Sequence, residues 1–319
     1  MGDGVTEWLI FVRAIHFATT AMILGVLLFR SSVAEPTLRF AAKAAHTVRR
    51  IILRVAWFNL AMAAASGVAW ILLQASAMSG LPFGDAMTST AIGTVVTETQ
   101  FGLVWVVRLA LEFALAACLA FDRHVIVRRL GLIFAVCFVT GLAATGHSGA
   151  TEGASGLVHV ASDVMHVVAA AVWIGGLVSL PILIKTVRDQ ASTKWPSLVR
   201  DATERFSKIA FVSVTGLLIT GLINASMLVG SLRALPMTAY GKLLILKVTL
   251  FFVMLTLAAI NKFRLAPEIG LFPQDTRDRG AIRNLTRNCM LEIALGLTIF
   301  LIVGSLGLTH PAIHFGSFH

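Results

Sequence analysis

Eight apolar stretches, each long enough to cross a hydrocarbon core of about 30 Å, recur from one end of the chain to the other. They lie near 8–33, 51–75, 99–121, 129–146, 156–184, 208–230, 241–262 and 287–309. Lipid cannot hydrogen-bond a peptide group, so runs of this length must close their backbone bonds internally, as helices. The expectation is an all-α, polytopic membrane protein, a bundle of about eight transmembrane helices in a single transmembrane domain, 1–319. Charge usage agrees: 13% of the 319 residues are charged, against roughly 25% in a soluble protein, and mean hydropathy is +0.85. The segment ahead of the first span carries Asp3 and Glu7 instead of a basic stretch. That span is therefore expected to be a mature helix and not a signal peptide.

The net charge of +10 would suggest nucleic acid in a soluble protein. Here its distribution points to loops facing the cytoplasm, with membrane lipid as the surrounding partner and no nucleic acid. Loops 34–50, 122–130, 185–208 and 262–287 together hold nineteen Lys and Arg, whereas the alternate loops and both tails hold only Arg233 and Lys242. The two groups alternate strictly, as eight spans require, so both termini are expected outside the cytoplasm. Cys118, Cys137 and Cys289 stand singly and offer neither a disulfide framework nor a paired metal motif.

Ionisable groups at bilayer depth cost several kcal/mol and need a partner or a purpose. His16 lies in the first span. His159, Asp163 and His166 lie in the fifth, at spacings of four and three that place them on one helical face. His147 closes the fourth span in Thr145-Gly146-His147-Ser148, and His310 and His314 follow the eighth. Seven of nine histidines thus fall in the outer half or beyond it; His46 and His124 sit in cytoplasmic loops. A lone buried histidine is more often a packing residue than a ligand, but this one-sided gathering favours a site. Imidazole with carboxylate suits copper, zinc, iron or nickel, and Met22, Met165, Met227 and Met237 could add thioethers for Cu(I). Arg13, Arg108 or Lys247 could neutralise Asp163, and Arg108 could instead pair with Glu112 four residues on. Glu292 and Arg54 are placed nearer the cytoplasm, within snorkelling reach. Gly175-Gly176 and Gly216 to Gly221 suggest close helix contacts.

Several motifs in order resemble the copper-resistance protein D (CopD/PcoD) family of bacterial inner-membrane copper proteins. They are Thr99-Gln100-Phe101-Gly102 with Trp105 and Arg108, Gly146-His147-Ser148, Asp163-Val164-Met165-His166 and Trp173-Ile174-Gly175-Gly176-Leu177. Arg205-Phe206-Ser207, Thr220-Gly221-Leu222-Ile223-Asn224-Ala225, Tyr240-Gly241-Lys242-Leu243-Leu244 with Lys247, Asn261-Lys262-Phe263-Arg264 with Pro267, Glu292 and Leu306-Gly307 complete the set. The resemblance covers about 99–311; the first two spans match only in hydropathy and His16. It implies an eight-helix inner-membrane protein that moves copper from periplasm to cytoplasm, with a periplasmic CopC-type partner.

The preferred reading is copper transport and homeostasis, with no enzymatic activity. His147, His159, His310 and His314 would capture the ion, and Asp163, His166 and His16 would pass it inward. No GxxxxGK[ST] loop is present to drive an ATPase. One alternative is a b-type haem oxidoreductase with His16 and His166 as axial ligands. Another is a copper sensor or scaffold without transport, in which His159 and His166 are merely packed. Copper oxidation state stays open.

Overall fold

The computed structural model describes residues 3–80, 83–145, 153–190, 195–229, 235–269 and 276–309. Among the described residues eight helices are long and apolar enough to cross a membrane. They are α1 (Asp3–Phe29), α2 (Ala42–Ser79), α3 (Gln100–Ala120), α4 (Val125–Thr140), α5 (Gly153–Gln190), α6 (Trp195–Val229), α7 (Ala239–Ile260) and α8 (Thr276–Leu306). Single π turns, Arg30–Ala34 and Asn261–Leu265, extend α1 and α7. The fold is the all-α membrane bundle that the apolar runs require.

Two helices form its centre. Within their most apolar stretches, 67% of α1 and 61% of α5 are buried inside the protein, against 6% for α7. Helix α1 packs on α2, α4, α5 and α8, while α5 packs on α1, α2, α4, α6 and α8. Where they cross, the backbones of Gly25 and Gly175 meet, and a β-carbon on either would collide with the other's main chain. Small residues allow this approach, and in lipid such van der Waals contact replaces the hydrophobic drive. Gly176 next door receives the Phe206 ring of α6 in the same way. Gly216 and Gly221 pack more loosely: an added β-carbon would sit 3.7 Å from Ala169 and 3.6 Å from His166.

Two motifs turn out to be helix starts. Thr99 Oγ1 accepts from the Gly102 amide, and Thr238 Oγ1 from the Gly241 amide, both at 3.0 Å. These caps begin α3 and α7; each satisfies an amide that has no partner within its own helix. The glycines let the preceding chain, at Val95–Val96 and at Leu235, fold back against the new helix. At the opposite end of the bundle Asp122 accepts from Arg30 and Arg49, each at 2.8 Å, with Arg30 and Asp122 both buried. This cluster ties α1 and α2 to the turn between α3 and α4.

Because the crossing leaves no room for a side chain, Gly25→Val should destabilise the bundle by more than about 3 kcal/mol, the upper range for overpacking. Gly93 has open space around it, so Gly93→Val should leave the melting temperature in detergent unchanged. Equal melting of the two variants would contradict the crossing.

Candidate functional site

The face of α5 that carries His159, Asp163 and His166 turns inward, as burial of polar groups in lipid demands. All three line one cavity of about 720 Å³, walled also by Arg13, Asn224, Tyr240 and Lys247. The cavity lies between α1, α5, α6, α7 and α8. Among the described residues α6 and α7 scarcely touch each other, and the cavity reaches the surface-exposed Leu222 and Phe252 on those helices.

His166 is held in a defined state. Its Nδ1 lies 2.9 Å from Thr220 Oγ1, and Thr220 donates its own hydroxyl proton to the Gly216 carbonyl at 2.6 Å. A hydroxyl has a single proton to give, so Nδ1–H of His166 is the donor and Thr220 the acceptor. Nε2 then carries a lone pair, the form a metal needs, oriented by a neighbour's hydrogen bond. One turn earlier, Asn224 Nδ2 donates to Asp163 Oδ1 at 3.4 Å, and Ser162 Oγ donates to the Thr220 carbonyl at 3.2 Å. The α5–α6 seam is thus a polar ladder that fixes the stripe. The charges of Lys247 and Asp163 act on each other across the cavity.

His16 stands elsewhere. Its Nδ1 donates to the Ala63 carbonyl at 3.1 Å, because a carbonyl can only accept. Its Nε2, 2.7 Å from Arg108 Nη2, must then accept, since a guanidinium can only donate. Both ring nitrogens are engaged, and the ring packs edge-on to Trp70 at 5.4 Å. His16 faces α2 and α3, not the cavity. Arg108 also donates to Thr20 and the Phe138 carbonyl, so its hydrogen bonds go to His16 and these two groups, while Glu112 on the same helix interacts with its charge without a close ion pair among the described residues. Of the three cations that could have neutralised Asp163, Arg13 and Lys247 share its cavity and Arg108 does not. The haem reading fares no better with His16: it and His166 face different neighbours and form no axial pair.

His147, His310 and His314 lie outside the described residues. Among the described residues no three His, Cys, Asp or Glu side chains gather closely enough to hold a metal ion. The stripe lines a chamber and does not close a cage. Sequence reasoning missed Thr220 and Asn224 as its partners, although their spacing of four placed them on one face of α6.

An eight-helix membrane bundle with a histidine- and carboxylate-lined chamber is the class that fold and site define. Two family models match it: "Copper resistance protein D" over residues 200–306 and "Copper resistance protein D-like, N-terminal domain" over residues 1–157. The chain belongs to the copper-resistance protein D family. Inner membrane protein YebZ of Escherichia coli (strain K12) is 26% identical over 94% of this chain and 97% of its own length. Copper resistance protein D of Pseudomonas syringae pv. tomato is 27% identical over 77% of this chain and 80% of its own. Copper transport protein CutJ of Bacillus subtilis (strain 168) is 30% identical over 74% of this chain but 43% of that longer protein.

If Thr220 sets the His166 tautomer, Thr220→Val should weaken copper binding by about 10–100-fold, the usual effect of losing a ligand's orienting partner. Thr220→Ser should bind nearly as the parent does. Titration of the purified variants against a copper chelator measures both, and equal affinity for the two would refute the assignment.

Proposed function

We propose that this protein takes copper from the periplasmic side through the α5–α8 chamber and passes it toward the cytoplasm, as a transporter in copper homeostasis and not as an enzyme. The single observation that carries the reading is His166, fixed through Nδ1 on Thr220, in the wall of a chamber that Asp163 also lines. His166 and Asp163 are the binding pair, and His159 lies one turn from Asp163 toward the start of α5, on the same face. His147, His310 and His314 serve capture at the outer surface, where a periplasmic CopC-type protein would deliver copper. His16, with both nitrogens engaged, holds α1 to α2 and α3. The family and the copper-related names of two relatives support the cargo. The nineteen-to-two asymmetry of basic residues supports both termini on the periplasmic side, in the inner membrane.

His166→Ala should abolish copper accumulation by intact cells at unchanged protein level. Asp163→Asn should reduce it, since the charge that attracts a cation is gone. The double variant should be little worse than His166→Ala, because two members of one site are not additive. His16→Ala should behave differently: less folded protein, with accumulation per surviving molecule nearly normal. Normal accumulation by His166→Ala would sink the reading.

Reporter fusions test the topology independently. A fusion after His319 should be active only as a periplasmic reporter, and one within loop 185–208 only as a cytoplasmic reporter. The opposite pattern would invert the direction of transport.

A further inference from the structure

Glu292 was expected within snorkelling reach of the cytoplasm, but the structure buries it completely, at 0% exposure. It lies about 20 Å along α8 from Arg279, where the span begins. Its Oε1 accepts from Asn261 Nδ2 at 2.7 Å, and Asn261 Oδ1 in turn accepts from Asn288 Nδ2 at 2.8 Å. Asn261 opens the π turn that ends α7, an irregularity often found at functional sites. Oε2 of Glu292 has no hydrogen-bond partner, and no ion pair involves this carboxylate among the described residues. A buried carboxyl oxygen left so is costly unless it holds a proton or a cation.

That carboxyl lines a second, small cavity of about 50 Å³, together with Cys289, Asn261, Thr203 and Lys262, whose ammonium is held over the Phe211 ring, 4.2 Å from its centroid, and not on the carboxylate. The volume suits one ion or one water. Cys289 is three residues before Glu292, hence on the same face of α8, and is itself 1% exposed. Trp173 alone lines both this cavity and the large one. It is buried midway along α5 and braced by Phe251, ring centroids 5.9 Å apart.

We propose that Glu292 and Cys289 form a second copper station, specific for Cu(I), on the far side of Trp173 from the His166 chamber. Cys289, as its thiolate, supplies the soft donor that Cu(I) prefers, and the Glu292 carboxylate supplies the second ligand. Cu(I) displaces the proton of the Cys289 thiol and that of the Glu292 carboxyl: one Cu–S and one Cu–O bond form, one S–H and one O–H bond break, and two protons pass to solvent. No electron is transferred, and the exchange of two protons for one Cu(I) leaves the site one unit more negative, a charge opposed by Lys262 in the same cavity wall. The proposal rests on the copper reading above and extends it beyond the chamber.

The test uses full-length protein in detergent, loaded anaerobically with Cu(I), in the parent and in a His166→Ala background. Copper content and X-ray absorption at the copper edge are the readouts. The parent should bind copper with sulfur among its neighbours, and His166→Ala should retain the sulfur-bound fraction. Glu292→Gln, which keeps the bond from Asn261, and Cys289→Ser should each lower Cu(I) affinity at least tenfold in that background. No copper on the parent at all would overturn both this proposal and the transport reading. Copper on the parent with both variants unchanged would overturn the second station alone. So would a Glu292→Gln variant of full copper content whose uptake has lost its pH dependence, which would make Glu292 a proton carrier only.

Discussion

Because neither Gly25 nor Gly175 carries a β-carbon, α1 and α5 touch along their backbones, and the remaining helices are placed by reference to that pair. Close approach of the two axes leaves little room for side chains between them, so polar residues on these helices are turned to either flank. On one flank α1 offers His16 to α2 and α3, where Ala63 and Arg108 take it up. On the other flank α5 offers His166 and Asp163 to α6 and the chamber. In water such groups would be solvated wherever they fell. In lipid each must find a protein partner or line a cavity, so helix placement decides their chemistry.

His16 and His166 show how far that goes. Both carry their proton on Nδ1 and hold it against an oxygen acceptor, so both present Nε2 as the remaining group. For His16 an arginine donor already fills that lone pair. His166 instead lines a large open volume, whose wall Asp163 shares. Identity and tautomer are the same; His16 is buried and His166 half-buried, and the neighbour at the second nitrogen differs. One ring is a strut between helices and the other lines the chamber.

Much of this was legible in the amino-acid order. The eight spans follow from apolar length, and the inward face of α5 follows from spacings of four and three. Gly175 and Gly176 announced a close contact, although the partners Gly25 and Phe206 could not be named. What a helical repeat cannot reveal is which neighbour a face meets. His16 therefore looked equivalent to His166 when judged by depth alone, and the spacing of four that sets Arg108 and Glu112 in each other's field gave no sign that the guanidinium also bonds to His16. Glu292 was misplaced for a related reason. Distance from a span's end suggested a route to water, but the π turn at Asn261 and the packing of α7 on α8 close that route.

The charge balance of the chamber bears on how it handles an ion. Arg13 and Lys247 line it against the single carboxylate of Asp163, and Arg13 is held over Trp70 and Phe17, 5.0 and 5.5 Å from their ring centroids. Two positive groups oppose a cation within the same low-dielectric volume, where Coulomb terms exceed their value in water. A site so biased binds an ion less tightly than a carboxylate and imidazole alone would. Strong binding would suit storage, whereas an ion that must move on needs a shallow well. Beyond Trp173 the balance differs: one cation, Lys262, lines the small cavity with Glu292, and Cys289 adds a softer donor. The large chamber thus sets two cations against one carboxylate, and the small cavity sets one against a carboxyl and a thiol.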